Sequence, residues 1–196
     1  MRRRTVFCLL FLLSTAHAAG MDEDTLWQRL RAGEAVVLMR HAATTPGIGD
    51  PPGFALGNCA TQRNLSEAGR RDARAIGAAF RQRGVRPDAV WSSRWCRCLD
   101  TARLAFDQVQ PEPALDSMFK DGDAAAGAKL RALRAKLAAR SETGLLVLVT
   151  HDVNIRALTG ETLAQGEMVL AVPRGDRLEV IGRLNAHAGV VRSAAR

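Results

Sequence analysis

At 196 residues the chain is long enough for one domain with a full core and short for two. Its formal charge of +8 comes from 28 basic against 20 acidic residues, and only Lys120, Lys129 and Lys136 of the basic ones are lysine. Such a balance suits nucleic acid, an anionic surface or a phosphorylated ligand. The absence of tyrosine, an aromatic content of 5% and the lack of a nucleic-acid-binding motif argue against the first, and no apolar run approaches the roughly 20 residues of a membrane span.

The opening stretch "MRRRTVFCLLFLLSTAHAAG" has three arginines, an apolar run over 6–13 and then Ala16-His17-Ala18, the layout of a secretory signal peptide cleaved after Ala18. The expectation is therefore a leader over 1–18 and a single mature domain over 19–196, exported to the periplasm or beyond the cell. Loss of the leader leaves 25 basic against 20 acidic residues, a net charge of +5. Cys8 leaves with it. Of the remaining thiols an oxidising compartment favours one disulfide, from Cys59 to either Cys96 or Cys98, because a bridge across Cys96-Arg97-Cys98 is strained. Three inert thiols are the alternative; the spacings match no zinc pattern.

Beyond the leader, "MDEDTLWQRLRAGE" spaces Leu26, Trp27 and Leu30 as a short helix does, and Gly33 ends it. The run "VVLMRHAATT" follows: four apolar residues without helical period, read as a strand over 35–39 buried on both faces. A glycine- and proline-rich loop of some twenty residues reaches Asn64, a length that in a compact domain usually serves function. Ser66 caps the next helix, whose buried stripe is Gly69, Ala73, Ile76 and Phe80. A second strand is predicted over 88–93, a helix over 97–106, a break at Pro111 and Pro113, and a basic-surfaced helix carrying Leu130, Leu133 and Leu137. "LLVLVT" is a third strand, over 145–150, and "EMVLAVPRGDRLEVIGRL" a hairpin turning at Pro173 to Asp176. Alternating strands and helices predict an α/β three-layer αβα sandwich with a mostly parallel central sheet.

Two strands end alike, one in Arg40-His41 and the other in His151-Asp152, and a third runs into Arg94 and Arg97. Parallel neighbouring strands would bring these ends together at one sheet edge, where open α/β sheets bind ligands. Guanidiniums bind phosphate oxygens bidentately and stay charged. Neutral imidazole attacks phosphorus, and a protonated second imidazole steadies the equatorial oxygens.

These residues resemble the histidine phosphatase superfamily, the phosphoglycerate-mutase-like enzymes. "LMRHAAT" is similar to its Arg-His-Gly motif with Ala42 for glycine; "RNLSEAGRRDARAIGAAF", "SSRWCRCLDTA" and "LLVLVTHDVN" resemble the segments that follow in it, in the same order. The resemblance implies that His41 is the phosphorylated nucleophile, Arg40 and Arg97 are phosphate clamps, His151 is the second pocket histidine, and Thr44 touches the substrate phosphate. For the proton donor it implies either Asp152, as in the acid phosphatase branch, or Asp116, as in branch one, with Asp152 preferred. Arg94 falls where the family has proline and is placed on the rim.

The implied activity is that of a metal-independent phosphomonoesterase without a cofactor, acting on a phosphorylated small molecule, with export pointing to an envelope sugar phosphate. A phosphate-binding module disabled at Ala42, and a phosphohistidine phosphatase or mutase of the same fold, are the alternatives. The loop over 46–64 and the segment over 116–126 are expected to line the entrance.

Overall fold

A computed structural model of the protein describes residues 21–140, 144–175 and 177–185. The expected leader over 1–18, with Cys8, lies outside the described residues, as does Asp176 of the expected turn.

Helix α1 (Glu23–Arg31) starts where the Asp22 carboxylate accepts the Thr25 amide, and it buries Leu26, Trp27 and Leu30. Strand β1 (Val36–Arg40) explains its own composition: Val37 and Met39 point into one core, Val36 and Leu38 into another on the opposite face. Strand β4 (Leu146–Thr150) divides its side chains in the same way, Val147 and Val149 against Leu146 and Leu148. With β2 (Ala89–Ser92), β3 (Gln110–Pro111), β5 (Met168–Arg174) and β6 (Arg177–Leu184) they form a six-stranded sheet in the order β3-β2-β4-β1-β5-β6. The first four run parallel; β5 is antiparallel to β1 and forms a hairpin with β6.

Helices α1, α2 (Glu67–Gln82) and α3 (Cys96–Phe106) cover one face, where Ile76, Phe80 and Ala102 join the core with Trp27. Helices α4 (Asp123–Ala138) and α5 (Asp152–Thr159) cover the other through Leu133, Ile155 and Leu158. The molecule is a three-layer αβα sandwich with a mostly parallel sheet, and each predicted strand lies within a residue or two of its expected place.

Two details differ from the sequence reading. The prolines expected only to break the chain include Pro111, which closes the two-residue edge strand β3 against Ser92. An edge position tolerates a residue without an N–H. Helix α3 begins one residue earlier, at Cys96, with Trp95 as its cap residue and no side-chain cap bond.

Helices α2 and α3 pack at backbone distance. A Cβ placed on Gly77 would lie 2.0 Å from the Ala105 carbonyl oxygen, and one on Gly69 would lie 1.8 Å from that of Ala43. Glycine at these two positions lets α2 seat against α3 and against the chain just after His41. Gly77→Ala is therefore expected to lower stability by about 2–3 kcal/mol, read as a shift of the urea midpoint at constant m; an unshifted midpoint would contradict this helix contact.

Candidate active site

The register of the sheet brings the two histidines together. Arg40 pairs with Thr150 across the β1/β4 ladder, and the next amide, that of His41, donates to the Thr150 carbonyl at 3.0 Å. His41 and His151 thus leave adjacent strands at the same level, their ring centroids 5.5 Å apart. On the other side of β4 the Ser93 amide donates to the Val149 carbonyl at 3.0 Å, which places Ser93 beside His151 and α3 above both.

A cavity of about 430 Å³ opens at this edge, and Arg40, His41, Arg97, His151 and Asp152 all line it. Five residues singled out in the sequence therefore meet in one site. Arg97 is 4% exposed and gives Nη1 to Asp50 Oδ1 at 2.8 Å and Nη2 to Oδ2 at 3.3 Å. Arg40 donates Nη1 to the Leu163 carbonyl at 2.6 Å. The Nε groups of Arg40 and Arg97 are buried without a hydrogen-bond partner. Orphaned donors of that kind on a cavity wall fit an anionic oxygen.

His41 donates from Nδ1 to the Ala42 carbonyl at 2.9 Å, which leaves Nε2 with its lone pair. Burial pushes the His41 pKa down to about 3, helped by the charges of Arg97, Arg40 and Arg63. Burial also holds His151 well below the usual imidazole value, with His41, Arg97, Arg40 and Lys129 adding to it. In the free protein both rings are neutral, which corrects the expectation of a protonated second imidazole. A neutral Nε2 in a guanidinium-lined cavity is competent to attack phosphorus.

His151 Nε2 lies 2.9 Å from Ser93 Oγ and 3.5 Å from the Cys98 sulfur. Cys98 is a free, fully buried thiol whose pKa burial pushes up to about 12, so it packs as a neutral group. Asp152 accepts the Leu163 amide on Oδ1 at 2.8 Å. Among the described residues its Oδ2 has no hydrogen-bond partner.

Thr44 and Asp116 stand elsewhere. The Thr44 hydroxyl accepts from Arg63 Nη1 and, at 3.1 Å, from Gln165 Nε2; it supports the cavity wall without forming part of it. Asp116 is 2% exposed and its oxygens accept from the Arg94 amide at 2.8 Å, from Arg94 Nε at 2.7 Å and from Arg94 Nη2 and Ser93 Oγ. Arg94, expected on the rim, is half exposed and serves this carboxylate. Ala42 has its amide on Thr101 Oγ1 at 3.0 Å and a negative φ, so the missing glycine imposes no backbone strain.

Sequence reasoning overlooked Arg63 and Asp50. Both come from the long loop, which has its base pinned by a Thr44–Leu65 bridge and its far end by a disulfide between Cys59 and Cys96. Of the two pairings foreseen for Cys59, the structure has the one to Cys96. Burial alone would push the Asp50 carboxyl up, but hydrogen bonds from Arg97, Trp95 and the Arg63 amide outweigh it and hold it below its usual value. Asp50 has no spacing signal, and Arg63, though it opens the segment "RNLSEAGRRDARAIGAAF", receives no role there in the sequence reading; the folded loop brings both to α3. The segment following Asp116 lines the entrance as expected, through Ser117, Phe119, Lys120 and Asp121. Among the described residues no cluster of His, Cys, Asp and Glu could hold a metal ion, and no helix is long and apolar enough to cross a membrane.

The neutral histidines make stability depend on pH. Unfolded, each takes a proton near pH 6.5; folded, His41 resists down to about 3. Between those values the unfolded chain binds more protons, so stability falls as pH drops through the window and is unaffected above it. The melting temperature is expected to decrease on the order of 10 °C from pH 7.5 to pH 5, and less steeply in His41→Asn. A constant melting temperature in the wild type would show that the imidazoles are not held neutral.

Comparison with known proteins finds similarity in part of the sequence and in the fold. Residues 36–124 match the family described as histidine phosphatase superfamily (branch 1). No curated protein shows significant sequence similarity to the chain. Among solved structures, the alpha-ribazole phosphatase from Shigella flexneri superposes with a TM-score of 0.59 at 17% identity, over 77% of this chain and 96% of that one. The phosphoserine phosphatase from Entamoeba histolytica, in complex with 3-phosphoglyceric acid, gives 0.55 at 15% identity over 77% and 96%. The mycobacterial glucosyl-3-phosphoglycerate phosphatase in complex with VO3 gives 0.53 at 19% over 75% and 96%. At these identities the likeness to the solved structures is one of fold, and the sequence similarity to the histidine phosphatase superfamily (branch 1) covers residues 36–124, the stretch that holds Arg40, His41 and Arg97.

Proposed function

We propose that the protein is an exported, metal-independent phosphomonoesterase that hydrolyses a phosphorylated small molecule through a phosphohistidine at His41. The observation that carries this reading is the unprotonated His41 Nε2 in a cavity walled by Arg40, Arg63 and Arg97, two of which present unpartnered Nε groups. Export is supported by the leader over 1–18 and by the disulfide between Cys59 and Cys96, a bond that persists in oxidising compartments. Export in turn favours an envelope phosphate, a sugar phosphate among them, over an intermediate of central metabolism.

In the first step His41 Nε2 attacks phosphorus as the ester P–O bond breaks. The leaving oxygen takes a proton from the acid form of Asp152, through the Oδ2 that the Leu163 amide leaves unengaged. In the second step water attacks the phosphohistidine, Asp152 accepts its proton, and inorganic phosphate departs with His41 restored. Arg40 and Arg97 steady the equatorial oxygens throughout. Ser93 Oγ lies nearer His151 Nε2, at 2.9 Å, than Asp116 Oδ1, at 3.4 Å. A hydroxyl proton given to Nε2 puts the ring's own proton on Nδ1, which suits His151 as a neutral donor to the phosphoryl oxygens. Asp116 is the weaker candidate for the donor because Arg94 occupies both of its oxygens and it stands off the cavity wall.

Purified mature protein is expected to release phosphate from p-nitrophenyl phosphate in the presence of a chelator, and His41→Ala to lose more than about a thousand-fold in rate. Residual activity within ten-fold of wild type would rule out the covalent mechanism. Phosphate binding without turnover would point instead to a binding module. Asp152→Asn is expected to slow alkyl phosphates by about 10²–10⁴ while aryl phosphates with good leaving groups lose less than about ten-fold; equal losses would remove Asp152 from the donor role.

A further inference from the structure

Ile48 and Phe119 are the exposed large hydrophobics among the described residues, at 92% and 59% exposure. Single exposed apolar side chains are common and need no account. These two, however, come from different segments and line the same cavity. Their segments approach each other at the mouth: a Cβ on Gly49, next to Ile48, would lie 3.9 Å from Phe119 Cε1.

The wall beneath them is also apolar. Phe54 packs against Trp95 with ring centroids 5.7 Å apart, and Lys120 lays its ammonium over the Phe54 ring at 5.6 Å. The loop bearing Ile48 and Phe54 is held in place by Asp50, which accepts from Trp95 Nε1 at 2.8 Å, and by the disulfide between Cys59 and Cys96. The apolar rim is thus fixed above the guanidinium floor. The site has two chemistries in series, cationic at depth and, at the entrance, apolar side chains set beside Lys120 and Asp121, within a volume suited to a small molecule.

We propose that Ile48, Phe54 and Phe119 form an apolar clamp for the leaving group, so that the preferred ligand is a phosphomonoester with an extended hydrocarbon or aromatic body next to the phosphate. The inference rests on the phosphomonoesterase reading for its substrate, but the clamp is a property of binding and is testable without turnover. A short polar leaving group, such as glycerol or a bare sugar, would leave these side chains in water and gain nothing from them. A hydrocarbon body removes apolar area on both sides from water.

Alkyl phosphonates cannot be hydrolysed and keep the same head group as the chain lengthens. By titration calorimetry on the full mature protein, affinity is expected to rise at least ten-fold from ethylphosphonate to octylphosphonate. In the double variant I48S/F119S, whose side chains are exposed and so pose little risk to folding, that ratio is expected to fall below three. A flat series in the wild type, or a rise that survives in the double variant, would overturn the clamp. The kcat/KM values of ethyl and octyl phosphate, whose leaving groups match in acidity, are expected to follow the same ratio. Failure of every alkyl phosphate to turn over while phosphonate affinity still climbs would overturn the enzymatic reading and support the clamp.

Discussion

A buried guanidinium is the constraint around which the site is arranged. Arg97 sits in the first turn of α3 at the cavity floor, and a cation there needs a partner that does not neutralise the cavity for its ligand. Asp50 supplies it from a loop remote in sequence, accepting from two Arg97 nitrogens, the Trp95 indole and the Arg63 amide. Around the cavity Arg40, Arg63, Arg97, Lys120 and Lys129 stand against Asp50, Asp121 and Asp152, which leaves it with surplus positive charge. Burial first, and that surplus second, keep His41 and His151 neutral, so that the cations that attract an anion also help to keep the nucleophile unprotonated.

The long loop follows from the same requirement. Its position is set by the Thr44–Leu65 bridge at the base, by Gln62, whose Oε1 accepts the Cys96 amide at 2.9 Å, and by the disulfide to Cys96. Cys96 precedes Arg97, so the covalent link ties the loop to the turn carrying the clamp. A segment rich in glycine and proline, which alone would sample many conformations, is thereby held with its carboxylate against the guanidinium and its apolar tip over the entrance.

Departures from the family pattern acquire physical explanations. Ala42 fits where glycine is usual because its φ is negative and its amide bonds to Thr101. Arg94, in place of proline, adds donors that occupy Asp116, and this shifts the balance toward Asp152 as the acid of the proposed mechanism. The two changes concern neighbouring parts of one site and leave its cationic floor intact.

The sequence by itself determined the α/β layering, the buried parallel strands and the residues at their ends, because strand periodicity and apolar runs report burial directly. It also identified Arg40, His41, Arg97, His151 and Asp152, because these follow strands or lie in motifs whose order is local information. Tertiary structure alone decided the rest. Asp50 and Arg63 entered the site only when the loop folded back across α3; Thr44 withdrew behind Arg63; and Asp116 was occupied by Arg94. The protonation state of the second histidine was likewise beyond sequence, since it depends on how many cations and how little water surround the ring. Such facts depend on distances between segments far apart in the chain, and neither composition nor spacing encodes those distances.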